Sequence, residues 1–151
     1  MTILYAFLFA IIFSIFDFFG YQYASRRGLT EGLLAPYRIV QGSVQILLTA
    51  TCFYFFGWAA ALGFFLLWWT WNCDLMYYFI YDITKLYGSG AFKNEVLGNK
   101  VSWAWWTAYG LVDLWINGKD PKTNYYRVIN GSILLFQAFL GILTVIFIGL
   151  I

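Results

Sequence analysis

The sequence predicts an all-α integral membrane protein: a four-transmembrane-helix bundle with a Trp-rich interfacial or re-entrant helix on the cytoplasmic side. Three observations carry that expectation. Of 151 residues, 62% are hydrophobic and 11% charged, with a mean hydropathy of +0.72, whereas a soluble domain holds roughly 45–50% apolar and about 25% charged residues. Four segments are apolar over the ~20 residues that a helix needs to cross hydrocarbon. All nine Lys and Arg residues fall in just two of the intervening segments. The chain reads as one transmembrane domain over 1–151, with no linker or second domain.

The first expected span, about 3–22, is interrupted only by Asp17. It lacks a basic stretch ahead of its apolar run, and Tyr23-Ala24-Ser25 is a poor cleavage site, so it reads as a span and not as a signal peptide. The second, about 39–56, carries no charge, and Gly57-Trp58 forms a short joint to the third, about 59–81, interrupted only by Asp74. The fourth, about 129–151, is free of charge. Asn130-Gly131-Ser132 reads as a chance glycosylation sequon, because it abuts that span on the cytoplasmic side.

Arg26, Arg27 and Arg38 lie between the first two spans; Lys85, Lys93, Lys100, Lys119, Lys122 and Arg127 lie between the last two. Basic loops stay cytoplasmic, so both termini are expected on the non-cytoplasmic side of a plasma or inner membrane. The segment at about 101–117 is short for a span and holds Asp113 between Lys100 and Lys119. Trp103, Trp105, Trp106 and Trp115 suit the headgroup level, where an aromatic ring buries its body and keeps its polar edge wet. An interfacial or dipping helix is therefore expected there, with a fifth span as the alternative.

Polar residues at depth normally face a bundle interior or a wet cavity. Asp17 lies about 7–8 Å, and Asp74 about 10 Å, from the cytoplasmic ends of their expected spans by helix rise. Asp17 and Asp82 are near enough to that end to be solvated. Gln41, Gln45, Thr49 and Cys52 share one helical face, as do Asn130, Gln137, Gly141 and Thr144; Thr70, Asp74, Tyr77, Tyr78, Tyr81 and Asp82 surround one edge of the third span. Such stripes serve first as interhelical hydrogen bonds, with Gly and Ala permitting close approach. If they converge, they form a pocket open to the cytosol and closed outward. Asp74 then needs a donor, with Thr70, Asn72, Tyr77 and Tyr78 in range.

Several chemistries are excluded. The chain has no histidine, which removes His-ligated metals and Ser-His-Asp or Cys-His catalysis. A net charge of +2, dispersed, does not suit nucleic acid. Cys52 and Cys73 differ by roughly 15 Å in depth, too far apart for a disulfide. Gly88-Ser89-Gly90-Ala91-Phe92-Lys93 lacks the spacing and hydroxyl of a phosphate loop. No metal set or cofactor is identified, although carboxylates gathered at one interface would favour an oxygen-seeking divalent cation.

Three functions stand open. The first is a scaffold or subunit of a membrane complex, binding partner helices or lipid. The second is a lipid- or hydrophobic-ligand-handling protein or enzyme, with Gln41, Gln45, Asn72, Tyr77, Tyr81 and Gln137 lining the site. Its catalytic candidates would be Asp74, Asp17, Asp82, Asp113 and Tyr78. The third is a transporter, for which the dry outer half offers no continuous polar path.

Overall fold

The computed structural model describes residues 1–30, 35–85, 90, 106–118 and 129–151. Every helix and every turn below belongs to those residues. The elements in order are α1 (Thr2–Ser25), α2 (Pro36–Phe56), α3 (Trp58–Trp69), α4 (Asn72–Thr84), α5 (Ala108–Asn117) and α6 (Gly131–Leu150). Three of them, α1, α2 and α6, are long and apolar enough to cross a membrane. Pro36 opens α2, where its missing N–H removes no helical bond. Gly57, at φ +85°, closes α2 and opens α3, a backbone state that only glycine takes at no steric cost. Asn130 caps α6, its side chain accepting from the Ser132 N–H at 2.8 Å. It therefore begins that helix as its cap and does not join the polar stripe expected of it.

The third expected span is not one helix. Apolar character runs almost unbroken through 59–81, yet the helix stops at Trp69 and restarts at Asn72. The cause is local and polar. The Thr70 N–H and hydroxyl both bond to the Leu66 carbonyl, at 2.8 and 2.6 Å, and the Trp71 N–H turns back to Trp68 at 3.2 Å. Trp71 then takes the left-handed conformation at φ +74°, which ends the helix. Asn72 holds the break by donating to Thr70 Oγ1 at 3.0 Å and to the Ala138 carbonyl of α6 at 3.1 Å. Backbone freed inside a bundle needs such substitutes.

The core lies where α1, α3 and α6 meet. Phe9, Phe13, Phe64 and Leu67 interleave there with Ala6, Ala10, Ala60 and Ala61, small residues that allow close approach. A Cβ on Gly149 would fall 2.2 Å from Ile3, and one on Gly63 3.0 Å from Ala6. Tyr5 stacks on Phe56 with centroids 3.8 Å apart. These contacts bring the start of α1, the Gly57 joint and the end of α6 to one end of the bundle. Arg26, Arg27, Arg38 and Lys85 follow the helices to the other end. Outward stand Ile46, Leu47, Tyr54, Phe139 and Phe147, each more than half exposed, a surface suited to hydrocarbon.

Candidate functional site

Asp17 organises the polar end of the bundle. Two turns of α2 cover it. Tyr37 donates its hydroxyl to Asp17 Oδ1 at 2.5 Å, and Gln41 donates its amide to the same oxygen at 2.6 Å. The Tyr37 hydroxyl also lies 3.0 Å from the Asp17 carbonyl. Gly20 makes room for this approach, since a Cβ there would sit 3.1 Å from the Tyr37 ring. The expectation that Asp17 is solvated is therefore corrected: it is 7% exposed, because the side chains of α2 replace its water.

Arg38 extends the chain of bonds by donating to Gln41 Oε1 at 2.9 Å. Its guanidinium stands 5.9 Å from the Tyr21 ring centre, within cation–π range. Tyr21 meets Tyr37 and Tyr77 edge-on, at 5.7 and 6.0 Å. Tyr77 accepts from Gln22 Nε2 at 2.8 Å. Tyr81 packs edge-on against Phe18 at 6.1 Å. Charge and hydrogen bonding thus link α1, α2 and α4 at one level.

Asp74 occupies the first turn of α4, where the helix dipole favours an anion. It is half-buried and in electrostatic reach of both Asp17 and Arg38. Two of the donors expected for it, Thr70 and Asn72, are engaged elsewhere. Thr70 no longer lies one helical turn before it, because the break intervenes, and its hydroxyl serves Leu66. Asn72 serves Thr70 and Ala138. Tyr78 is buried against Trp71 at 6.3 Å. Among the described residues, neither Asp74 nor Asp17 Oδ2 has a side-chain donor.

The stripe on α2 divides. Gln41 makes the interhelical bond expected of it. Thr49 bonds back to the Gln45 carbonyl of its own helix at 2.8 Å, and Thr144 on α6 does the same to Leu140 at 2.9 Å. Hydroxyls routinely satisfy themselves this way, so these two are no interhelical glue. Cys52 is buried and reduced, as is Cys73, whose sulfur lies 3.9 Å from the Ala10 carbonyl. Gln45 is 5% exposed, and among the described residues neither atom of its amide has a partner. Gln137 on α6 accepts the Tyr109 backbone N–H at 2.5 Å, while its Nε2 has no partner among the described residues.

The aromatic segment splits as well. Trp103 and Trp105 lie outside the described residues. Trp106 stacks on Trp68 at 5.0 Å, and the Thr107 hydroxyl caps α5 by accepting from Gly110 at 3.3 Å. The start of α5 thus meets Gln137, about 9 Å along α6 by helix rise. Trp115, at the far end of α5, is 86% exposed. Asp113 bonds to Asn117 at 2.8 Å on α5 itself and is not joined to the Asp17 group. Asp82 sits two turns beyond Asp74. Among the described residues no three Cys, Asp or Glu side chains converge on a metal position.

Tyr37, Arg38, Gln22 and Trp68 escaped the sequence reading as site residues. Tyr37 had a signal: it precedes Gln41 by one turn and extends the Gln41–Gln45 stripe toward the Arg-bearing end. Gln22 and Trp68 had none, since their partners are set by packing between helices. The chain matches no family model, no curated protein and no solved structure.

Proposed function

We propose that this chain is a multi-pass membrane protein that binds a lipid or lipid-like amphiphile in a polar site between α1, α2 and α4. Gln45 carries the reading. A buried amide with both ends unserved forfeits about 1–3 kcal/mol per group, and such groups call for a bound partner. Gln45 lies one turn deeper than Gln41 on the same face of α2, so an occupant there would continue the polar chain from Asp17. α3 and α4 together rise about 37 Å, enough for a broken fourth crossing of a ~30 Å hydrocarbon core. The Arg-bearing end then faces the cytosol, both termini face outward in a plasma or inner membrane, and α5 dips into the cytoplasmic leaflet.

The test is extraction in mild detergent followed by mass spectrometry of released small molecules. A retained lipid or amphiphile near one per chain is expected. Gln45→Leu should lose it while melting at the same temperature as the parent or higher, because an unserved amide has been replaced by an apolar side chain of similar size. Retention by Gln45→Leu would overturn the reading.

A second reading, a scaffold or subunit holding a partner helix, draws on α2, the least buried of the three long helices. Ile46, Leu47, Phe53 and Tyr54 line its outer side, 60–81% exposed. A stoichiometric protein in the same extract would favour it.

A further inference from the structure

We propose that the group bound in this site is a primary ammonium; the inference rests on the reading just given and names the chemistry of the head. The first support is charge. Asp17 is answered by Arg38 through Gln41. Asp74 brings a second carboxylate into the same field, and the N-terminus of α4 offers only about half an elementary charge against it. A cation balances the remainder and keeps both carboxyls ionised, where a buried carboxyl without one would instead take up a proton.

The second support is the kind of hydrogen-bonding group left open. Asp17 Oδ1 takes both Tyr37 and Gln41, which leaves Oδ2. Asp74 supplies a further acceptor, and the bare Gln45 amide supplies Oε1. Counted from Gly57, Gln41 is sixteen residues back and Cys73 sixteen on, while Gln45 and Trp69 are each twelve away. Since α2 and α3 run antiparallel from that joint, Gln41 stands level with the start of α4, and Gln45 stands one turn deeper, beside the helix break.

An ammonium R–NH3+ presents three N–H donors and no acceptor, the complement of this set. A hydroxyl offers one donor and no charge. A quaternary ammonium offers charge without a donor for the Gln45 carbonyl. Phosphate and carboxylate heads offer only acceptors and meet two carboxylates. A divalent metal ion wants six or more oxygens, beyond what gathers here. The Gln45 Nε2 remains for a water, which such a polar spot can hold.

A primary ammonium reaches the site either as a soluble amine from the cytosol or as an amphiphile from the bilayer. The experiment uses the full chain in a neutral maltoside detergent, titrated with dodecylamine, dodecyltrimethylammonium, dodecanol, dodecyl sulfate and propylamine. Dodecylamine should bind at least about tenfold more tightly than the trimethyl, alcohol and sulfate probes. Asp74→Asn and Gln45→Leu should each weaken it by about tenfold or more with helical circular dichroism unchanged. Propylamine matching dodecylamine assigns a soluble amine, and dodecylamine alone assigns a bilayer amphiphile; both support an ammonium site. Equal binding of dodecanol or the trimethyl probe overturns the ammonium assignment and leaves the ligand-binding reading standing. No binding by any probe, with no small molecule in the native extract, overturns both. If Asp74→Asn does not fold, undiminished dodecylamine binding by Gln45→Leu is sufficient to overturn the assignment.

Discussion

Asp17 illustrates how a carboxyl group is kept inside a helix bundle. Its burial is tolerated because two donors from α2 reach one of its oxygens and Arg38 stands behind the second donor. Removing a donor to a buried carboxyl leaves the acceptor short, at about 1–3 kcal/mol. Tyr37→Phe, which keeps the ring against Gly20 and Tyr21, is therefore expected to lower stability by that amount in a detergent melt. An unshifted melt would mean that Gln41 alone satisfies Asp17. The threonines behave differently. Thr49, Thr70 and Thr144 each bond a carbonyl four residues back, so Thr144→Val is expected to leave stability within about 0.5 kcal/mol, readable in the same melt.

At the scale of the helix, the break between α3 and α4 decides which groups meet. Trp71 holds a left-handed backbone, costing about 1–2 kcal/mol, because its indole is fully buried. Trp71→Gly would relieve that backbone and forfeit the side chain, and loss of a buried Trp costs about 3–5 kcal/mol. The second effect is larger, so net destabilisation by about 2–3 kcal/mol is expected. Gly141 is the partner of the break on α6. A Cβ there would lie 2.0 Å from Thr70 Oγ1 and 2.7 Å from Thr70 Cβ. Gly141→Ala is expected to cost about 1–3 kcal/mol through overpacking. Adding Thr70→Ala removes the closer collision and should recover part of the loss, which a double-mutant cycle would measure.

Across the whole molecule, one end carries Arg26, Arg27, Arg38 and Lys85, and the other carries the start of α1 and the end of α6. With positive-inside orientation, a cysteine introduced at Trp58 should react with an impermeant reagent on intact cells. Cysteines at Lys93 and Lys119 should not. The two native cysteines are buried, so background labelling should be low. Labelling at Lys119 without labelling at Lys93 would establish a further crossing between them.

The membrane-helical class was legible in the composition, because a chain with this little charge has no soluble way to cover its apolar surface. The limits of α1 and α2 were read to within about three residues, since hydrocarbon thickness sets span length. That Gln41 and Gln45 share one face of α2 followed from helical spacing. Hydropathy could not reveal the stop at Trp69, which depends on Asn72 reaching Ala138 on another helix. The polar run Thr70, Asn72, Asp74 was its faint sequence mark, resembling a helix start. Which donors serve Asp17, and which amides go unserved, was decided by packing alone. A polar residue announces its need for a partner in the sequence, but the partner belongs to whichever helix the tertiary structure brings beside it.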